Sequence, residues 1–386
     1  ALDYLDAFST AIIRKVPNQA EVHRTVAFPY EAMEEALVNA VYHRSYDGVQ
    51  EPIKVYLYPD RMEIISYPGP VPGIEMRHFL MGASVPPVPS RNRRIGELLK
   101  ELRLAEGRGT GIPKIFRKMN ENGSPRPIFE FDDARSYFRV ILPAHPQYIV
   151  IHALRESAHL WAVGERQQAI QNLENVAKQA QSSGALLAQL IEYHTLLGNI
   201  QAAEAIFANL RPESPLMDAH LPFIAMAKLY LDRNNPRKAS EILSRVPSPT
   251  RTEDLIELAI LYKRSDRLGD AHSVFASNYD VIKDNAKAIH EYAQTKIRLS
   301  ISLSPEDSAT KRRLTRDAVG LLRRAIQLSD DNVRNGWCYY DLARALAWLG
   351  SPDSEVLQAY DKALELQPNE PRFRESYEHW KRRRPR

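Results

Sequence analysis

The sequence has a single cysteine and no long hydrophobic segment among its 386 residues. Cys338 has no second cysteine with which to form an intramolecular disulfide, which is typical of a protein from the reducing cytoplasm. No run of about 18 or more apolar residues is present, so we expect no membrane span. A basic-then-apolar leader is also missing. Since the chain begins Ala-Leu-Asp rather than with methionine, we expect a fragment that lacks its natural N-terminal part.

A strong excess of one charge is missing as well. The chain has 52 basic and 48 acidic residues and a formal net charge of +4. This balance does not by itself indicate nucleic-acid binding. The concentrated exception is the basic run KRRRPR at 381–386. We interpret this tail as a solvated helix end, with a functional patch as the alternative.

Several motifs of well-understood chemistry are absent. No GK[ST] triplet of a Walker loop follows any glycine-rich stretch. No set of histidines and cysteines has the spacing of a metal site, and no acidic cluster with a lysine indicates a nuclease. Any chemistry in this chain must therefore rest on a less obvious set of residues.

Helices and strands alternate before residue 146, which predicts a sheet covered by helices. IKVYLY at 53–58 and RMEIIS at 61–66 are predicted strands of a hairpin that turns at Pro59-Asp60. SYFRVILP at 136–143 is a further predicted strand. YEAMEEALVNAVYHR at 30–44 and RRIGELLKELRL at 93–104 have the apolar spacing of amphipathic helices.

After residue 150 a repeat replaces the strand signals. A small or polar turn residue is followed five positions later by alanine, and successive alanines are 34, 36 and 32 residues apart. This is the period of stacked helix-turn-helix units. The turn residues are Gly164, Gly198, Asn234 and Asp266, and the alanines are Ala169, Ala203, Ala239 and Ala271. The segment at 280–335 fits less well, although Ala318 is a candidate fifth alanine.

The last unit, at 337–371, resembles a tetratricopeptide repeat (TPR), with Gly350 at the turn, Ala359 and Tyr360 on the second helix, and Pro368 after it. Such arrays expose a long concave surface that holds peptides or proteins. We therefore expect three parts: a domain at 1–146 with a linker at 1–25, helical repeats at 147–380, and the tail at 381–386.

The first helix carries candidate chemistry. Glu35 and Asn39 are four residues apart, so both project from one face, and His43 continues the row. A carboxylate there could orient a water for attack on a phosphate, and an amide oxygen could bind Mg²⁺. The same spacing also occurs on solvated helices, and for His43 we favour a structural hydrogen bond.

The stretch AEGRGTGIPKI at 105–115 is the second candidate. Gly107, Gly109 and Gly111 would let backbone amides face a bound anion, aided by the N-terminus of the following helix. The G-x-G-x-G spacing and the preceding helix do not match a dinucleotide fingerprint. Taken alone, the stretch is either a phosphate cradle or a structural turn.

The order of these motifs resembles a known family. FPYEAMEEALVNAVYHRSY, DRMEIISYPGPVPG and SRNRRIGELLKELRLAEGRGTGIPKI are similar to the ATP-binding domain of bacterial Schlafen/AlbA-type transcriptional regulators. Members of this family are often described as related to the RecG helicase, and they belong to the GHKL superfamily of ATPases. The resemblance covers about 25–143 and implies an α/β sandwich, with helices on one face of a mixed sheet, ahead of the all-α TPR-like solenoid.

The resemblance also implies roles for single residues. Glu35 would be the water-activating acid and Asn39 the Mg²⁺ ligand, while a second set would contact ATP. Two positions depart from the family pattern: Tyr67 stands where it has asparagine, and Ser45 where it has aspartate. The second set comprises Tyr67, Gly69, Arg91, Asn92, Gly107, Gly109, Thr110 and Gly111.

Two hypotheses follow. In one, the first domain binds ATP with Mg²⁺ and hydrolyses it slowly, as a switch, while the repeats hold a protein partner. In the other, a degenerate pocket leaves a scaffold for dimerisation and peptide binding. The family usually carries a nucleic-acid-associated domain ahead of this one, which implies DNA or RNA as a partner of the longer protein in regulation or antiviral defence.

Overall fold

The computed structural model describes residues 2–9, 11–15, 22–48, 50–80, 86, 91–102, 104, 110–179, 183–210 and 218–382. Contacts between Cα atoms divide the chain into two compact units, Ala1–Gln181 and Ser182–Arg386. Each unit is described by itself.

The first unit contains two sets of strands. After helix α1 (Leu2–Phe8), strands β1 (Ala11–Lys15) and β2 (Val22–Val26) pair with each other in antiparallel fashion. A four-stranded sheet is built from β3 (Lys54–Leu57), β4 (Arg61–Ser66), β5 (Ile128–Glu130) and β6 (Phe138–Pro143). The strand order is β3-β4-β6-β5, and every pairing is antiparallel.

The predicted hairpin and the predicted strand at 136–143 are confirmed. The N–H of Tyr58 donates to the carbonyl of Arg61 over 2.8 Å and closes the turn at Pro59-Asp60. Alternation then sends Met62 and Ile64 into the core, while Glu63 points to the other face. The periodicity of β4 thus decides which face of the sheet the helices cover.

Three features differ from the expectation. The described strands form an antiparallel sheet where a mixed sheet was expected, because each described pairing joins strands of opposite direction. The segment 1–25, expected to be a linker, contains α1, β1 and most of β2. The short strand β5 was not predicted, since its three residues, Ile128–Glu130, are too few to show an alternating pattern.

Four more helices lie between the strands: α2 (Tyr30–His43), α3 (Arg77–Leu80), α4 (Arg93–Glu101) and α5 (Gly111–Glu121). Helix α2 packs on β4 and against α5. Met33 of α2, Ile115 and Met119 of α5, and Met62 of β4 are fully buried. Burial of each such side chain contributes about 1.5–3 kcal/mol, so this core holds α2 and α5 side by side.

The helix predictions are confirmed with one difference in burial. Met33, Ala36 and Ala40 of α2 are buried, as the pattern predicts. Among the leucines of the other predicted helix, Leu99 of α4 is buried, whereas Leu98 and the C-cap residue Leu102 are more than half exposed.

Most of the described residues after β6 lie in helical pairs. In the first unit α6 (Pro146–Ala162) packs against α7 (Arg166–Gln179). In the second unit the pairs are α8 (Gly184–Leu196) and α9 (Ile200–Ala208), α10 (Leu221–Asp232) and α11 (Pro236–Leu243), α12 (Thr252–Arg264) and α13 (Leu268–Ser277), α15 (Ala286–Ser302) and α16 (Ser308–Leu328), and α17 (Asn332–Leu349) and α18 (Asp353–Leu366). The short α14 (Tyr279–Ile282) follows α13, and α19 (Pro371–Arg382) follows α18.

The predicted repeat is borne out at its turns and at its alanines. Gly164, Gly198, Asn234, Asp266 and Gly350 all have positive φ, between 56° and 93°, as the left-handed residue between two helices requires. The alanines five positions after the first four turns are fully buried. A small residue there lets the two helices of a pair approach closely. The C-terminal part is therefore an all-α, TPR-like array.

The irregular segment at 280–335 has a simple structural cause. The inserted helix α14 precedes a long pair, in which α15 has 17 residues and α16 has 21. Ala318 of α16 is fully buried, in line with its interpretation as a further alanine site. No helix within the described part of the chain is long and apolar enough to cross a membrane.

The predicted domain boundary near residue 146 falls in the turn between two elements. Strand β6 ends at Pro143 and α6 begins at Pro146. The compact first unit includes α6 and α7 as well. The assignment of separate functions to 1–146 and 147–380 stays a prediction.

Candidate functional site

Helix α2 places Glu35 and Asn39 on one face, one turn apart. Both residues are half-buried, and Nδ2 of Asn39 donates to Oε1 of Glu35 over 3.2 Å. Residues four apart are neighbours on a helix surface, which explains the contact. With the amide in this orientation, its carbonyl oxygen Oδ1 is left to accept a donor or to bind a metal ion.

The N-terminus of α5 lies directly against this pair. A Cβ atom built on Gly111 would lie 2.1 Å from Oε1 of Glu35 and 3.0 Å from Nδ2 of Asn39. Because glycine has no Cβ atom, the backbone comes this close without displacing the carboxylate of Glu35. The structure therefore brings Gly111 next to two predicted site residues that lie far from it in the sequence.

The rest of the glycine stretch is only partly described. Gly107 and Gly109 lie outside the described residues. Thr110 is exposed and occupies the N-cap position of α5. The first N–H groups of a helix have no acceptor within it, so this end of α5 can offer donors to an anion beside Glu35 and Asn39.

Lys114, in the first turn of α5, lies beside this pair, and sequence reasoning did not select it. Its Nζ lies 3.3 Å from Oε2 of Glu35 and 3.6 Å from Oε2 of Glu34. One turn later, Nζ of Lys118 lies 3.6 Å from Oε1 of Glu31. Acids at 31, 34 and 35 and lysines at 114 and 118 were visible in the sequence, but only the packing of α2 against α5 pairs them.

Arg91 and Asn92 lie at the C-terminal end of α2 instead. Nη1 of Arg91 donates to the carbonyl of His43 over 2.9 Å, and Nδ2 of Asn92 donates to the carbonyls of Tyr42 and Arg44 over 2.8 and 2.6 Å. The last carbonyls of a helix need such donors. These side chains therefore join the start of α4 to the end of α2, and their contact with nucleotide stays a prediction.

Tyr67 and Gly69 follow β4 near the same end of α2. The carbonyl of Tyr67 accepts the N–H of Ser45 over 2.9 Å, and Nζ of Lys54 lies 5.4 Å from the centre of the Tyr67 ring. Gly69 donates its N–H to the carbonyl of Arg135 over 2.7 Å, and a Cβ on it would lie 2.7 Å from the carbonyl oxygen of Tyr137. Close backbone packing is thus a sufficient reason for Gly69.

His43 ends the row on α2. Its ring lies 4.5 Å from the ring of Tyr42, centre to centre. Desolvation of the ring, and then the charge of Arg91, lower the pKa of His43, although the residue as a whole is exposed. The neutral imidazole is therefore favoured beside Arg91, and the structural hydrogen bond expected for His43 stays a prediction.

The predicted residues thus form two groups along α2. Glu35, Asn39 and Gly111, with the added Lys114, meet near its middle. Tyr67, Gly69, Arg91 and Asn92 lie around its C-terminal end, where the contacts described above join backbone segments. The first group places charged and polar side chains around the start of α5.

Residues 50–142 match the family described as "Putative ATP-dependent DNA helicase recG C-terminal". The match includes Tyr67, Arg91, Asn92 and the glycine stretch, while Glu35 and Asn39 lie before it. An ATPase-like segment is thus followed by TPR-like helical structure. A search of curated proteins finds no match to the chain.

Three of the solved structures that are similar to this chain are TPR proteins. YrrB, titled a TPR protein with an unusual peptide-binding site, is 11% identical, with 58% of this chain and 90% of that chain covered and a TM-score of 0.33. The C-terminal part of a TPR protein from Cytophaga hutchinsonii is 13% identical, covering 73% and 98%, with a TM-score of 0.41. A TPR protein from Parabacteroides merdae is 12% identical, covering 58% and 80%, with a TM-score of 0.33.

Proposed function

We propose that the N-terminal part of this chain binds ATP with Mg²⁺ and hydrolyses it slowly, while the helical repeats hold a protein or peptide partner. The observation that carries the proposal is the approach of Gly111 to Glu35 and Asn39. This contact places the start of α5, a group of backbone donors, beside an acid and an amide on α2.

The residues present fit a magnesium nucleotide. The Cβ of any larger residue at 111 would fill the space against Glu35, so the glycine keeps the start of α5 open. Mg²⁺ prefers oxygen ligands, and the amide oxygen of Asn39 would hold it beside the carboxylate of Glu35. When bound, Mg²⁺ would hold phosphate oxygens and neutralise part of their charge.

Hydrolysis needs an oriented water, and Glu35 is the residue to hold it. Its side chain is 13% exposed, so it is largely shielded from bulk solvent. The water oxygen adds to the terminal phosphorus and the bond from that phosphorus to the bridging oxygen breaks. ADP and inorganic phosphate leave, and the proton lost by the water passes to Glu35.

The repeats provide the second half of the proposal. Within the second unit, successive pairs pack through their first helices, α8 on α10 and α10 on α12. Such arrays present long surfaces to peptides or proteins. A change from bound ATP to bound ADP in the first unit would then act as a switch on the partner that the repeats hold. Association with nucleic acid, as in a Schlafen/AlbA-type regulator or defence protein, rests on the family resemblance alone.

A scaffold without ATP hydrolysis is the second candidate function. It is favoured by the side chains at the C-terminal end of α2, because Arg91 and Asn92 donate to helix carbonyls and Gly69 packs on backbone. In that case the first unit supplies a docking or dimerisation surface, and only the repeats bind a ligand.

Calorimetric titration of ATP with Mg²⁺ separates the two. We expect the parent chain to bind, Asn39→Ala to lose binding, and Glu35→Ala to lose phosphate release while keeping nucleotide affinity. Glu31→Ala is the matched control, since this acid lies one turn earlier on α2 and pairs with Lys118 rather than with Lys114. If Asn39→Ala binds ATP with the same affinity as the parent, the nucleotide site does not include Asn39. If the parent gives no heat of binding at millimolar nucleotide, the scaffold without ATP hydrolysis is the remaining candidate function.

A further inference from the structure

We propose that Lys114 is a phosphate-binding residue of this site, which exchanges its carboxylate partners for an oxygen of the terminal phosphate of ATP. The inference rests on the proposed function and extends it to a residue that neither the family resemblance nor the sequence pattern indicated.

The first step is the geometry around Glu35. Its two carboxylate oxygens have different partners: Oε1 accepts from Asn39 over 3.2 Å, and Oε2 lies 3.3 Å from Nζ of Lys114. The ammonium group therefore lies beside the same carboxylate that would orient the attacking water. A water held by Glu35 for attack would lie between this carboxylate and the terminal phosphorus. The phosphoryl group would then be within reach of the ammonium group at the end of the Lys114 side chain.

The second step is the local charge. Lys114 lies between two carboxylates, at 3.3 Å from Glu35 and 3.6 Å from Glu34. One cation between two acids leaves a single net negative charge on this group of three. A terminal phosphate carries more negative charge on closely spaced oxygens than either carboxylate does, and charge-assisted hydrogen bonds of this kind are the strong ones. On ATP binding, Lys114 would leave the carboxylates of Glu34 and Glu35 and gain a phosphate oxygen, which binds an ammonium group more strongly.

The third step separates this role from plain packing of the helices. Lys118, one turn further along α5, also pairs across to α2, with Glu31 at 3.6 Å, and within α5 with Glu121 at 3.0 Å. The side chains of Lys114 and Lys118 are similarly exposed, 30% and 27%. Lys118 therefore supplies the same kind of interhelical ion pair without contact to Glu35.

The test compares Lys114→Met with Lys118→Met and Lys114→Arg. Titration calorimetry measures the affinity of each for ATP and for ADP, both with Mg²⁺, and thermal denaturation checks that the variants stay folded. We expect Lys114→Met to lose about tenfold or more in ATP affinity and much less in ADP affinity, as for the loss of one hydrogen bond to a charged group. Lys118→Met should bind both within about twofold of the parent, and Lys114→Arg should recover most of the ATP affinity. Phosphate release by Lys114→Met should fall about a hundredfold if the parent turns over.

Each other result has one meaning. A parent that binds neither nucleotide overturns the proposed function and this inference with it. A parent that binds ATP, with Lys114→Met unchanged or matched by Lys118→Met, overturns the inference about Lys114 and leaves the proposed function standing. Equal losses for ATP and ADP overturn the assignment to the terminal phosphate.

Discussion

Replacement of Gly111 by alanine tests whether the approach of α5 to α2 is as close as the structure shows. The new Cβ would lie 2.1 Å from Oε1 of Glu35, whereas non-bonded heavy atoms prefer about 3.5 Å. The carboxylate is the far end of a flexible side chain, so it can swing away. It then loses its hydrogen bond from Asn39 and its ion pair with Lys114.

The expected change in stability is small because two effects offset each other. Loss of one partly exposed hydrogen bond to a carboxylate costs about 1.5 kcal/mol, and the partly exposed ion pair adds at most about 1 kcal/mol. Alanine regains about 1 kcal/mol over glycine through helix propensity. The free energy of unfolding should therefore fall by about 1.5 kcal/mol or less, while nucleotide affinity falls at least tenfold because the new methyl group takes up space at the start of α5 and lies 3.0 Å from Nδ2 of Asn39.

Gly69→Ala is the contrasting variant. Its Cβ would lie 2.7 Å from the carbonyl oxygen of Tyr137 and 3.0 Å from Cα of Arg135, and backbone cannot swing away. Overpacking costs about 1–3 kcal/mol, and the loss of the bond from Gly69 to Arg135 adds about 1 kcal/mol. We expect a loss of about 2–4 kcal/mol in urea denaturation.

The comparison of the two variants can refute the reasoning in two ways. If Gly111→Ala unfolds as easily as Gly69→Ala, the space at residue 111 is not bounded by a movable side chain. If Gly111→Ala keeps both the stability and the nucleotide affinity of the parent, Glu35 does not lie against the start of α5.

Three further predictions concern other parts of the chain. Cys338 is fully buried, and burial, with Asp341 as the smaller cause, raises the pKa of its thiol to about 12; a thiol reagent at pH 8 should therefore label it only after urea is added, and labelling of the folded protein would contradict this. Asp266 has a φ of 62°, which alanine adopts less readily than glycine. In urea denaturation, Asp266→Gly should therefore keep the stability of the parent or raise it by up to about 1 kcal/mol, and Asp266→Ala should lower it by about 1 kcal/mol. A glycine variant less stable than the alanine variant would contradict this. Burial lowers the pKa of His145, so as pH falls through about 6.5 the unfolded chain takes up a proton that the folded chain does not, and stability falls. His145→Asn keeps an N-cap acceptor for Gln147 and should show a shallower loss of stability between pH 7.5 and 5.5, whereas an unchanged slope would exclude His145 as a source.

Much of the fold follows from local signals in the sequence. The alternation at 61–66 defines β4, and the small or polar residues at Gly164, Gly198, Asn234 and Asp266 define the turns between paired helices. These signals are readable because strand period, helix period and the left-handed turn each depend on residues a few positions apart. The helix that carries Glu35 and Asn39, and their shared face, could be predicted for the same reason.

The candidate site itself was decided by tertiary structure. The closeness of Gly111 to Glu35, the ion pairs of Lys114 and the packing of Gly69 on Tyr137 all join segments that are distant in the chain. Burial of Met33, Met62 and similar side chains between α2, α5 and the sheet fixes how these elements pack together. No local sequence pattern predicts which helix packs against which. The sequence by itself therefore determined the elements and the residue types available for chemistry. Only the packing of the hydrophobic core decided which of them meet.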